Sequence, residues 1–144
     1  MIDRLFDSTS MSVITNALSA SRLTHEVIAH NLANVDTPGF KRSEVLFADR
    51  LATALKARDA ARDNLAGTVT DSRHIPIGDV PRPEDVTPGL VVRAETSLRP
   101  DGNNVDLDSE MVRLSENTVL YASLAQIVRM QLAQLRTAIT EGRA

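Results

Sequence analysis

The sequence predicts a mainly α protein. Long N- and C-terminal helices pack as a coiled-coil-like pair around an irregular, Pro-rich middle that holds a short helix and has room for a small β-hairpin. Three observations predict it. Apolar residues recur in strict four-three alternation near the C-terminus, and a weaker copy of that alternation runs near the N-terminus. Five of the six prolines fall within residues 67–103, a density that excludes helix and any central strand.

The N-terminal helix spans about residues 9–34. Met11, Ile14, Leu18, Ser21, His25, Ile28, Leu32 and Val35 form its seam, and only Ser21 and His25 break the apolar pattern. Ser8 or Thr9 is placed to cap it. Val35-Asp36-Thr37 ends it, because Thr37 precedes Pro38 and is driven toward extended geometry. Pro38-Gly39 suits the centre of a type II turn, whose second central residue needs positive φ, and Phe40 follows as an anchor.

A third, shorter helix is predicted from Ser43 to about Arg62, with Phe47, Leu51 and Leu55 on one face. Beyond it Pro76, Pro81, Pro83, Pro88 and Pro100 break the chain into loop. The extended piece Leu90-Val91-Val92-Arg93-Ala94 can pair as a small hairpin. Three regions result: residues 1–40 (helix and turn), 41–105 (polar middle) and 106–144 (heptad helix).

The C-terminal seam is Leu107, Met111, Leu114, Thr118, Tyr121, Ala125, Val128, Leu132, Leu135 and Ile139, apolar except for Thr118. Such a heptad belongs to helices packing side by side. Asp106 is a good N-cap, and Asp108 and Glu110 complement the helix dipole in the first turn. Gly142 is a plausible stop. Leu120, Leu124 and Ile127 spread apolar surface beyond the seam. A helix so widely apolar must be covered on several sides, which one partner helix of the same chain cannot do.

Composition narrows the function. The 144 residues include only three Phe, one Tyr and no Trp, so a compact core must rely on Leu, Ile, Val and Ala. A net charge of −3 offers no basic surface for nucleic acid. Without cysteine there is no disulfide, thiolate nucleophile or cysteine metal site. The first residues lack the apolar run of a secretory signal, and no segment approaches the ~20 apolar residues that span a bilayer.

Candidate sites are few. His25 and His30 suggest a zinc-protease helix, but they are five apart where that motif needs four, so they lie on different faces. The plainer reading puts His25 on the seam and His30 against a neighbour or solvent. Asp101-Gly102-Asn103-Asn104-Val105-Asp106-Leu107-Asp108 is rich in oxygen ligands. Counted from Asp101, however, the fifth, sixth and twelfth places of a calcium loop are Val105, Asp106 and Val112, which cannot serve. A tight turn feeding the C-terminal helix cap accounts for the same residues. No nucleophile elbow, phosphate loop or dinucleotide fingerprint occurs, so no catalytic residue and no cofactor or small-molecule substrate is expected. Asn31 and Asn34 either terminate their helix or hydrogen-bond across packed helices.

The run His30-Asn31-Leu32-Ala33-Asn34-Val35-Asp36-Thr37-Pro38-Gly39-Phe40-Lys41 resembles the signature of the bacterial flagellar rod and hook axial family, Asn-Leu-Ala-Asn followed by Thr-x-Gly-Phe. Asp101 to Val112 resembles a proximal-rod member of that family, and Thr70-Asp71-Ser72-Arg73-His74-Ile75 is a faint echo of the same member. The resemblance implies a structural subunit of the proximal rod. It would leave the cell through the flagellar type III system without a cleaved signal peptide and lie in the periplasmic rod of the basal body. Implied partners are copies of itself, the rod proteins FlgC and FlgF, the junction protein FliE, and the export gate with its membrane ring base. Implied packing residues are Ile14, Leu18, Ile28, Asn31, Leu32 and Asn34 on the first helix. On the last they are Leu107, Met111, Leu114, Leu120, Tyr121, Leu124, Ile127, Val128, Leu132, Leu135 and Ile139. Thr37, Pro38, Gly39 and Phe40 form the turn motif. Early flagellar substrates also share a Phe followed four residues later by an aliphatic residue, which Phe47 and Leu51 match. The same pair would equally serve to pack the short helix.

Two other classes compete. A soluble helical-bundle adaptor or regulator would close on itself and fold well alone. A flagellum-associated hydrolase would show a convergent acidic pair in a pocket, for which the sequence gives no reason.

Overall fold

In the computed structural model, residues 9–63, 82–94, 97 and 99–141 are described. Helix α1 covers Thr9–Ala33, strand β1 Ser43–Leu46, and helix α2 Ala48–Asp63. A single 3-10 turn at Pro83–Asp85 precedes strand β2, Gly89–Val92, and helix α3 runs from Leu107 to Glu141. At 1.5 Å per residue α3 is about 52 Å long and α1 about 37 Å. They lie antiparallel, since Asn31 meets Glu110 while Ser21 meets Asn117. The mainly helical fold with long terminal helices is as expected. Among the described residues no helix is long and apolar enough to cross a membrane. Gly142, the expected stop of α3, and the Thr70–Ile75 echo lie outside the described residues.

The middle departs from expectation in one place. Ser43 does not begin a helix: residues 43–46 are strand, and helix starts only where Leu51 N–H donates to Phe47 O at 2.8 Å. The cause is non-local. Ser43 N–H and C=O are both taken by the Asn31 amide, at 2.9 and 2.8 Å, which holds this backbone extended. The piece around Leu90 does pair as a small antiparallel β unit, as expected, with a distant partner. Gly89–Val92 pairs antiparallel with β1, in the register Ser43↔Val92 through Leu46↔Gly89. That long-range partner was invisible to a reading of local turn signals.

A small apolar core gathers where β1 runs into α2. Phe47 packs with Ala20 of α1, Ala54 of α2 and Val86 after the 3-10 turn, flanked by Ala17, Val45 and Leu51. One aromatic over alanines makes a thin core, as the composition requires. Pro83 is buried beside it, and Asn16 Nδ2 donates to Glu84 O at 2.8 Å, tying this loop to α1. α3 stands outside this core and is joined to the rest by other means.

Candidate functional site

The turn after α1 and the turn before α3 form one structure. A helix C-terminus leaves carbonyls without intrahelical partners. Here Asn34 N–H bonds back to Asn31 O and Thr37 N–H to Asn34 O, at 3.1 and 3.0 Å. Arg99 Nη1 donates to Val35 O at 2.8 Å, and Asn103 adds more. Fully buried, its Nδ2 donates to the carbonyls of Asn34, Val35 and Thr37 at 3.0, 3.0 and 2.9 Å, while its Oδ1 accepts from Val105 N–H at 2.7 Å.

Two glycines let the turns approach. Gly39 has φ +71° and Gly102 φ +85°, and a Cβ on Gly102 would stand 3.6 Å from Gly39 Cα. Gly39 N–H donates to Asp101 O at 2.9 Å, and Lys41 Nζ donates to Gly102 O at 2.7 Å. The Phe40 N–H to Thr37 O bond across Pro38-Gly39, with that positive φ, meets the demands of a type II turn. His30 rests on Phe40, with ring centroids 5.4 Å apart. Asn104 completes the joint: its Oδ1 accepts from Arg42 N–H and its Nδ2 donates to Arg93 O, each at 2.7 Å.

Above this joint α1 and α3 meet through polar side chains. Glu110, 1% exposed, receives Asn31 Nδ2 at 3.1 Å and lies 3.5 Å from Arg42 Nη1. Arg42 Nη2 also donates to Glu44 at 2.7 Å, as does Arg93 Nε at 2.9 Å. Burial pushes the Glu44 carboxyl up, but the Arg93 and Arg42 hydrogen bonds and charges outweigh it and hold its pKa below the ordinary value. Two turns further along, Asn117 Oδ1 accepts from Ser21 Oγ at 2.8 Å, and its Nδ2 donates to Ser21 O at 2.9 Å. The same Nδ2 meets His25 Nδ1 at 2.8 Å. The polar breaks in the α1 seam, Ser21 and His25, thus sit opposite a polar residue of α3.

This arrangement rotates α3 from the expected seam. Buried or half-buried positions in heptad spacing are Glu110, Leu114, Asn117, Leu124, Val128, Gln131 and Leu135, with Ser109, Arg113 and the seam residue Ala125 half-buried beside them. They share Leu114, Val128 and Leu135 with the apolar seam. Its other column lies mostly outside, with Met111 51%, Leu132 44% and Ile139 64% exposed, and Leu107, at the head of the shared column, is 50% exposed. On the opposite side Val112, Val119, Leu120, Ile127 and Met130 are also exposed. Leu120 and Leu124 border a groove of about 780 Å³ between α3 and the β1–α2 junction, floored by Ala17, Ala20 and Thr24. Of the remaining expected packing residues, Ile28 is buried, Ile14, Leu18, Leu32 and Asn34 are half-buried, and Tyr121 and Leu132 are exposed. Phe47 is buried in the core, with Leu51 half-buried beside it. Asn34 stays local, its Nδ2 donating to His30 O at 2.8 Å.

Residues 11–41, which span α1 and the Pro38-Gly39 turn, match the model of the family described as flagella basal body rod protein. Over 139 residues the chain is 33% identical to the flagellar basal body rod protein FlgB of Bacillus subtilis, covering 96% of this chain and 98% of that one. The chain belongs to the FlgB family of flagellar basal body rod proteins. The FlgB of Borrelia hermsii is 36% identical over 122 residues, 82% of this chain and 86% of its own. That of Salmonella typhimurium is 29% identical over 142 residues, 99% of each. FlgB-family membership makes this chain a structural subunit of the basal body rod and not an enzyme. The chemistry of the interlocked turns is hydrogen bonding and packing.

Proposed function

We propose that this rod subunit is exported through the flagellar type III system and assembles by packing its terminal helices against copies of itself and adjoining rod proteins. FlgC and FlgF would follow it, with FliE, the export gate and the membrane ring base on its inner side. The observation that carries this reading is the uncovered apolar surface on two sides of α3. A helix in a self-contained bundle turns such residues inward, whereas Val119 here is 68% and Val112 58% exposed. Exposed apolar area of that extent marks a surface that another protein covers. It disfavours a closed adaptor for the same reason.

The polar pairing of α1 with α3 agrees with transport as an unfolded chain. Buried amides and one buried carboxylate specify how the helices align more than they stabilise them, so the pair can part and re-form. Imaging the isolated basal body at side-chain resolution tests the proposal. Neighbouring chains should lie on Met111, Val119 and Met130, and solvent at those residues would refute it.

A further inference from the structure

Asp101 and Gly102 are the only Asp-Gly or Asn-Gly pair in the chain. An aspartate before a glycine is chemically fragile, because glycine has no side chain to shield its backbone nitrogen. That nitrogen can attack the protonated aspartyl carboxyl. A C–N bond forms at Cγ, the N–H proton and the carboxyl hydroxyl leave as water, and a succinimide ring results. Water then opens the ring at either carbonyl. Opening at the former main-chain carbonyl gives isoaspartate, in which the chain runs through Cβ and Cγ and the old carbonyl carbon is a free carboxylate. One water leaves and one returns, with no change in charge and no other reactant.

The joint occupies the groups that this reaction needs. Gly102 N–H, which ring closure must consume, donates to Arg99 O at 3.1 Å. The other end of the same peptide, Asp101 O, accepts from Gly39 N–H at 2.9 Å. Asp101 Oδ1 accepts from Asn103 N–H at 3.1 Å, and Asn103 is itself buried under the end of α1. Asp101 is exposed, so water reaches it, and hydrogen bonds rather than burial must restrain it. The fold also has a reason to keep a fragile pair here. Gly102 has φ +85° and approaches Gly39 closely, a place that other residues fill only with strain.

We infer that Asp101 is the site where this chain forms isoaspartate, and that closure of the joint is what prevents it. The product cannot close the joint again. Its main chain is one carbon longer at this point, the carbonyl that Gly39 N–H needs has become a carboxylate, and Gly102 is displaced from Gly39. A chain left open is therefore marked by its own chemistry. The mark is a carboxylate of the kind that isoaspartyl methyltransferases take as substrate. The inference stands on the joint alone and does not depend on the proposed export or assembly.

The purified chain, aged at neutral pH in buffer and in urea, tests it. Isoaspartate at position 101 is scored by peptide mapping and by methyl transfer from S-adenosylmethionine with a purified isoaspartyl methyltransferase. The wild-type chain should form it at least about tenfold faster in urea, since in buffer only the open fraction reacts. Asn103→Ala, which leaves the reacting pair intact, should raise the buffer rate several-fold and leave the urea rate unchanged. Asp101→Glu, whose longer side chain disfavours the ring, should show no product at this position in urea. Equal wild-type rates in buffer and urea, or an Asn103→Ala chain that ages in buffer like wild type, overturns the protection. Absence of isoaspartate at 101 from the wild-type chain in urea overturns the site. Aged chain returned to buffer is then read by amide hydrogen exchange. Gly39 N–H should be protected in intact molecules and unprotected in the isoaspartate fraction, and protection in both overturns the claim that the product cannot close.

Discussion

Gly39 N–H donates to Asp101 O at 2.9 Å, and through that bond the exit from α1 and the entry to α3 become a single joint. The residues around it stand more than sixty positions apart in the chain yet satisfy one another. Asn103 caps the helix that Asn31 and Asn34 end, and Asn104 fastens the strands that Asn31 holds extended.

Asn103→Ala should be among the most damaging single changes in the chain. It takes the acceptor from Val105 N–H and one donor from each of three carbonyls, which keep Thr37 N–H, Arg99 Nη1 and Phe40 N–H. A buried N–H left unpaired costs roughly 1–3 kcal/mol and the lost carbonyl bonds add to it, so a loss of about 3 kcal/mol is expected in urea denaturation. A loss below about 1 kcal/mol would mean that this cap contributes nothing special.

Asn103 shows where the sequence was legible and where it was not. Its neighbourhood reads correctly as a tight turn feeding the Asp106 cap, and Asp106 Oδ1 does accept from Asp108 N–H at 3.1 Å. What it caps lies on another element, which no local pattern reveals. The available signal was the accounting of orphan carbonyls at the end of α1, which demands donors from somewhere. The C-terminal seam fails differently. A search for apolar periodicity passes over Glu110 and Asn117, yet these polar residues face α1, and Met111, Leu132 and Ile139 are left exposed. Ser21 and His25, read as defects of the α1 seam, are the partners that make Asn117 fit.

Acid should loosen the joint through Glu44. Its folded pKa is depressed, so its stabilising contribution is complete above the pKa of the unfolded chain. It is lost as pH falls through the lower, folded value. Glu44→Gln should therefore flatten the acid side of a melting-temperature profile taken from neutral pH downward. An unchanged slope would place the acid sensitivity elsewhere.

Leu132→Asp and Leu124→Asp should part company. Leu132 is 44% exposed, so a charge there should move the stability of the single chain by only about 0.5 kcal/mol. It should still abolish motility by blocking assembly, with export retained. Leu124 is half-buried beside Ala17 and Ala20, and a charge there should weaken the chain itself. Monomer melting combined with a swimming assay separates the two. Normal swimming of the Leu132 variant would remove the outer side of α3 from the assembly surface.

The last prediction concerns how the chain leaves the cell. Phe47 is 9% exposed and packs on Ala20, Ala54 and Val86, so a gate that reads Phe47 and Leu51 must meet the chain before it folds. Phe47→Ala with Leu51→Ala removes core volume worth roughly 3–5 kcal/mol for the phenylalanine alone. That loss does not hinder a substrate that travels unfolded. Stability and recognition therefore predict opposite outcomes. If the pair is read by the gate, the double variant should remain in the cytoplasm while Val86→Ala, which cuts into the same core outside the pair, is still secreted. If the pair only packs, both variants should be secreted and fail afterwards. Fractionating cells for each protein decides it, and secretion of the double variant at the wild-type level would end the gate role.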